Sequence, residues 1–261
     1  MPVDQQLRLV RDSFPDRPAF GTAISEAILT RVAAGELDAT MRLHRPGPEL
    51  ALSKQDAVSP GFADAIAAGR AAGFQPVLRL AGGRAAAFHE GTLALARSTP
   101  AAYPARTTRE RFEQVSGALA QALRGLGVDA RVGEIPGEYC PGAWSVNARG
   151  ATKLVGIGQR LISGGAHVGA VIVVADSPRL RSLLEAVYAA LDLDWDPATV
   201  GSVEDEVGPV ALHEVEDALL AELGAGYDLI PAKLDPATLE LAARLEAGRR
   251  LDPADEPRRL A

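Results

Sequence analysis

Apolar residues in this chain recur at two spacings, and the two alternate along its length. Over 22–34 the residues Ile24, Ile28, Leu29 and Val32 share one helical face, and Gly35 is a stop. Residues 40–44 alternate, with Met41 and Leu43 inward and Arg42 and His44 outward, which predicts a strand. Pro46, Gly47 and Pro48 turn the chain into a second strand at 49–53. Ser59 and Pro60 then open a helix over 61–72, with Ser59 as its cap. Short strands follow at 76–80, 85–88 and 92–96. Thr107 and Glu110 have capping-box spacing, and Phe112, Val115, Leu119, Leu123 and Leu126 behind them mark an amphipathic helix.

The second half begins with a short strand at 130–132. Strands at 144–147, 152–162 and 166–174 come next, separated by tight glycine turns. This is a meander, and meanders argue for a mixed or largely antiparallel sheet, not a doubly wound fold. A helix capped by Ser177 and Pro178, an acidic loop of about twenty residues, and helices at 212–223 and 236–247 complete the pattern. The first dozen residues read as a loose arm. The expected organisation is an α/β (α+β) domain over 1–225 and a C-terminal helix with a mobile tail over 226–261.

Composition narrows the function. The 261 residues suffice for a full core. A net charge of −7 argues against non-specific nucleic-acid binding. The longest clean apolar run, Val168 to Ala175, suits a buried strand and is too short to cross a bilayer. One cysteine rules out an internal disulfide and any cysteine-based metal site, so the expected compartment is the reducing cytoplasm. The expected metal content is none: the acidic residues between Asp192 and Glu206 match no metal-loop spacing and read as a solvated loop.

That one cysteine is the first candidate for chemistry. A lone cysteine is by default a small buried apolar residue. Cys140, however, stands in the turn sequence Gly-Glu-Tyr-Cys-Pro-Gly, and loops position reactive groups. A nearby cation would favour its thiolate. Lys153, at the start of an apolar strand, is the candidate cation; the alternative is an exposed strand-end lysine. The turn at Gly82 and Gly83 is flanked by Arg79 and Arg84, and such a turn lets the backbone approach a ligand closely. His89 is more ordinarily a structural histidine.

These segments carry a resemblance. Arg79, Gly82, Gly83 and Ala85, followed by Glu90-Gly91-Thr92-Leu93, resemble the signature turn of the biotin/lipoate protein ligase and octanoyl/lipoyl transferase superfamily. Lys153-x-x-Gly156-Ile-Gly-Gln159-Arg160 is similar to its lysine-bearing strand, and Tyr139-Cys140-Pro141-Gly142 resembles the cysteine-dependent octanoyl amidotransferases. The resemblance implies Cys140 as nucleophile and Lys153 as the second catalytic residue, an oxyanion donor beside backbone N–H groups of the glycine turn. It implies substrate binding by Arg79, Gly82, Gly83, Ala85, Gly156 and Gln159.

It also implies octanoyl (or lipoyl) transfer onto a lysine of the lipoyl domains of 2-oxoacid dehydrogenase complexes. The donor would be an octanoylated protein, the glycine cleavage H protein or acyl carrier protein, with no cofactor, no nucleic acid and no membrane. An ATP-dependent lipoate–protein ligase keeps the lysine without needing Cys140, and a non-catalytic acyl-binding relative is the third reading. Arg79, Arg84, Lys153 and Arg160 would form a positive mouth suited to acidic lipoyl-domain partners. The chain departs from the family pattern at Arg84, His89 and Thr152.

Overall fold

The computed structural model describes residues 5–252. The strands are β1 (Gln6–Val10), β2 (Thr40–His44), β3 (Glu49–Leu52), β4 (Gln75–Leu78), β5 (Ala86–Phe88), β6 (Thr92–Ala101), β7 (Ala130–Val132), β8 (Val146–Ala148), β9 (Thr152–Ile162), β10 (Gly164–Val173) and β11 (Asp228–Ala232). The helices are α1 (Pro18–Ala33), α2 (Phe62–Ala71), α3 (Thr108–Gly125), α4 (Ser177–Ala190), α5 (Val203–Val207), α6 (Leu212–Leu223) and α7 (Pro236–Leu245).

The larger sheet has eight strands in the order β11-β1-β2-β6-β10-β9-β8-β7. Its β1 runs parallel to both β2 and β11, and the other pairs are antiparallel. The predicted meander is β8-β9-β10. A smaller sheet, β4-β3-β5, pairs β3 parallel to β4 and antiparallel to β5. This is the expected mixed, largely antiparallel α/β class.

Each sheet carries its own core. Leu95, Val168, Ala170 and Ile172 pack with Val115, Leu119 and Leu123 of α3 and with Val215 and Leu219 of α6. Leu50 and Leu52 of the small sheet pack with Ile66 of α2 and with Leu180, Leu184 and Val187 of α4. The opposite faces of β6, β9 and β10 look with β3, β5 and α1 onto a cavity.

Several expectations are corrected. The N-terminal arm contains β1, whose Leu7 is fully buried. Residues 226–250 do not stand apart: β11 extends the large sheet, and Ala242 of α7 joins Ala23, Ile24 and Ala27 of α1 in one cluster. Pro231 is tolerated in β11 because that strand is a sheet edge. The tail beyond residue 252 lies outside the described residues. Gly61, not Ser59, caps α2; the Ser59 hydroxyl donates to the Leu191 carbonyl at 3.2 Å. The capping box at Thr107 does not form, because the Thr107 hydroxyl accepts from Arg111 instead.

The small-sheet layer is tight where α2 meets α4. A Cβ on Gly61 would lie 1.8 Å from the Ala190 carbonyl oxygen, so the two helices must part to admit a methyl group. Gly61→Ala should cost about 1–3 kcal/mol, the range for overpacking. Urea unfolding checks this as a lowered midpoint with an unchanged slope.

Candidate active site

Cys140 lies in the loop between β7 and β8 with φ of +42°, a left-handed conformation that costs a non-glycine residue on the order of 1–3 kcal/mol. The loop is held there by a buried ion pair. The Glu138 carboxylate accepts from the Ile135 N–H at 3.2 Å, the Gly142 N–H at 3.1 Å, the Ser145 hydroxyl at 2.6 Å and Lys153 Nζ at 2.9 Å. Lys153 Nζ donates also to the Tyr139 carbonyl at 3.0 Å and the Cys140 carbonyl at 2.7 Å. The lysine is 1% exposed, and its three N–H groups are matched by three acceptors. From α4, the Tyr188 hydroxyl donates to the Ala85 carbonyl at 3.0 Å and accepts from the Cys140 N–H at 2.7 Å. Trp195 packs against the rings of both Tyr139 and Tyr188. The acidic loop expected to be solvated thus braces the site through Trp195.

The sulfur sits on the glycine turn. Cys140 Sγ is 3.2 Å from the Arg84 backbone nitrogen and 3.5 Å from Arg79 Nη1. Gly83 has φ of +117°, and a Cβ there would lie 2.8 Å from the sulfur and 3.1 Å from Arg79 Nη1. Only glycine meets both demands. Gly158 repeats the device from β9: a Cβ there would be 3.1 Å from Ala81 Cβ and 3.2 Å from the Gly82 carbonyl oxygen. The turn is anchored outside by Arg84, whose Nη1 is 3.4 Å from an oxygen of the fully buried Asp56.

Most of the predicted residues come together, in altered roles. Cys140, Arg79, Lys153 and Gly156 line one cavity, with Gly83 against the sulfur. Lys153 serves the loop from inside and is no part of an exposed basic mouth. Ala85 is fully buried and contributes its carbonyl to Tyr188. Gly82 faces no steric demand of its own and brings its carbonyl against Gly158.

Gln159 is a correction. It pairs with Val168 in register, on the α3 side of the sheet, where Nε2 donates to the Thr108 carbonyl at 2.8 Å and Oε1 accepts from Arg111 at 3.0 Å. His89 closes its own turn by accepting from the Gly91 N–H at 2.9 Å and does not line the cavity. Glu138, Tyr188, Asp56 and Gly158 escaped the sequence reading. Tyr188 alone had a periodic signal, four residues after Leu184 on the buried stripe of α4.

The cavity holds about 120 Å³ and runs inward from Cys140 between the sheets. Ala51, Leu80, Ala86, Phe88, Ala94 and Val171 give it an apolar wall. Arg42, His44, Glu49 and His167 also line it. Burial pushes the Glu49 carboxyl up to about 7, with Thr22, Arg79 and Arg42 opposing the shift. Burial pulls His167 down to about 4.

Residues 17–224 match the lipoyl protein ligase A/B catalytic domain. The chain belongs to that family. It is 31% identical over 201 residues to an octanoyl-[GcvH]:protein N-octanoyltransferase of Geobacillus kaustophilus, covering 77% of this chain and 70% of the relative. A Bacillus velezensis protein of the same name is 26% identical over 235 residues, covering 90% of this chain and 80% of that one. Among solved structures, a lipoate-protein ligase A bound with ATP superposes with a TM-score of 0.76 at 21% identity, over 93% of this chain and 95% of that one. A bipartite lipoate protein ligase of Thermoplasma acidophilum gives 0.72 at 20% identity, over 93% and 92%. At such identities these two establish the fold alone.

The ion pair under the loop makes a stability prediction. Lys153→Ala leaves the Glu138 carboxylate buried without its charge partner and should cost about 3–5 kcal/mol. The double variant Glu138→Gln/Lys153→Met removes both charges and should recover a large part of that loss in urea denaturation. Glu49 gives a pH dependence. Its folded value of about 7 lies above the ordinary 4.5, so between those values the native state holds more protons than the unfolded one. Wild-type stability relative to Glu49→Gln should therefore fall as pH rises from about 4.5 to 7 and level off above, read from thermal midpoints across that window.

Proposed function

We propose that the acyl group crosses this protein as a thioester on Cys140. The chain is an octanoyl/lipoyl acyltransferase of protein lipoylation, as its curated relatives are named octanoyltransferases. The observation that carries the route is the seat of the sulfur: Cys140 Sγ stands at the cavity wall with the Arg84 N–H at 3.2 Å and Arg79 at 3.5 Å.

The donor is the octanoylated glycine cleavage H protein, by analogy with the relatives' names, and the acceptors are lipoyl domains. The Cys140 sulfur attacks the carbonyl of the donor's octanoyl-lysine amide. The carbon–nitrogen bond breaks, the thiol proton leaves on the departing donor lysine amine, and octanoyl stays on sulfur. An acceptor lysine amine then attacks the thioester, the carbon–sulfur bond breaks, and the acceptor's proton returns to sulfur. One amide is exchanged for another, so the cycle needs no ATP and no other cofactor. The Arg84 N–H and the Arg79 guanidinium are the donors nearest to where the oxyanion develops. Lys153 acts as a positioning residue, since helping the oxyanion directly would mean releasing a loop carbonyl.

Outside the glycine turn, a groove of about 680 Å³ is lined by Lys54, Arg79 and Arg160, and by Arg249 paired with Glu26. Such a rim suits acidic partner domains, whose association weakens with salt. Each methylene of the acyl chain buried along the cavity adds about 0.8 kcal/mol to binding.

Cys140→Ala tests the route in a transfer assay from octanoylated H protein to a lipoyl domain. The expected result is loss of transfer, not rescued by ATP with free lipoate or octanoate. Transfer by Cys140→Ala that depends on ATP and free acid would replace this reading with a ligase.

A further inference from the structure

One residue of α1 on the cavity wall has no side chain. Pro18, Gly21, Thr22 and Ser25 all line the cavity, at the i, i+3, i+4 and i+7 spacing of a single helical face. Gly21 therefore turns its Cα toward the cavity. Glycine within a helix is less stable than alanine, so its presence there needs a reason. The neighbours supply none: a Cβ on Gly21 would meet nothing within 4 Å. Two other glycines of the same wall are fixed by close approach. A Cβ on Gly47 would lie 1.9 Å from the Pro15 carbonyl oxygen, and one on Gly169 would lie 3.0 Å from His167 Nε2. Gly21 instead leaves its space to the cavity.

Strand register puts this opening at the end remote from the sulfur. Cys140 Sγ is 3.5 Å from Arg79 Nη1, and Arg79 Nη2 is 3.5 Å from where a Cβ on Gly158 would stand. From Gly158 on β9 one row crosses the sheet through Gly169 on β10 and Ala96 on β6 to Arg42 on β2. Gly169, Ala96 and Arg42 line the cavity. Arg42, which the alternation of β2 was expected to turn outward, is fully buried, and its Nη1 donates to the Gly21 carbonyl at 2.8 Å. At about 4.8 Å between strands, the row is about 14 Å long. An extended octanoyl chain on sulfur spans about 10 Å, at roughly 1.2 Å per bond. A van der Waals contact at its methyl end adds about 4 Å. The two lengths match when the chain ends against α1.

We propose that Gly21 sets the acyl length this enzyme accepts: the space of its missing side chain receives the last carbons of the octanoyl group. This deepens the reading of the cavity as the acyl site and rests on it. The Arg42 hydrogen bond ties the α1 backbone to β2 at this residue, so the room at the end of the cavity depends on what stands at position 21. A leucine there would add four carbons where the chain ends, and only a shorter acyl group would then fit.

The test loads the intact protein from an equimolar mixture of octanoyl and hexanoyl thioesters of a small thiol, and reads the initial acyl adducts by mass. The wild type should favour octanoyl by about fifteenfold, the worth of two buried methylenes. Gly21→Leu should invert the preference. Gly21→Ala suits a helix better and meets no neighbour, so it should fold at least as stably and still lower the ratio several-fold. It decides alone if the leucine variant does not fold. Gly117→Ala is the control for helix propensity. Gly117 also lies within a helix, with nothing within 4 Å of a Cβ, but it is exposed on α3 and off the cavity wall, so the ratio should not move. An octanoyl preference unchanged in the Gly21 variants, or loss of both chains alike, overturns the proposal and leaves the acyltransferase intact. Absence of any adduct on the wild type would instead remove the acyl site on which the proposal stands.

Discussion

The site depends on one buried ion pair. Glu138 and Lys153 are nearly inaccessible, and an isolated charge in either place would be prohibitive. Together they use their hydrogen-bonding capacity on the backbone of a single loop. Glu138 takes two N–H groups and a hydroxyl, and Lys153 takes two carbonyls. The loop that results holds Cys140 in a left-handed conformation it would not adopt unaided. The cost of that conformation is offset by contacts reaching the loop from β9 and α4.

Close approach is the second constraint. The glycine turn must come within touching distance of both the cysteine sulfur and β9. Gly83 makes room on one side and Gly158 on the other. The small sheet and α2 and α4 behind it set where the turn lies. Packing such as that of Gly61 on Ala190 is therefore connected to chemistry that it never touches. Tyr188 completes the link, joining the Cys140 N–H to the Ala85 carbonyl through one hydroxyl.

Much of this was legible in the chain. α1 and α3 follow directly from their apolar periodicity, and the meander follows from the glycine turns between its strands. β1 and β11 were not legible, because each is a short strand whose partners are remote in sequence; β11 also carries Pro231. At the site, residue types and spacing identified Cys140, Lys153, Arg79 and the glycine turn. They did not reveal partners. Glu138 is one residue from Tyr139 in sequence, yet its importance lies in reaching Lys153, fifteen residues on. Gln159 came with the family resemblance, which does not show that its side chain turns to Thr108 and Arg111 on the α3 side. The charge of Lys153 suggested an exposed mouth; pairing with Glu138 allows it to be buried instead.

The central claim is that the acyl group rests on Cys140 between two amide exchanges. The most direct measurement is a rapid-quench experiment that mixes the protein with octanoylated donor, first without an acceptor. An octanoyl adduct on Cys140, cleaved by hydroxylamine and chased onto an added lipoyl domain at least as fast as steady-state turnover, is the predicted result. Acceptor octanoylation at the full rate, with no adduct at any time and no loss on blocking Cys140, would contradict it.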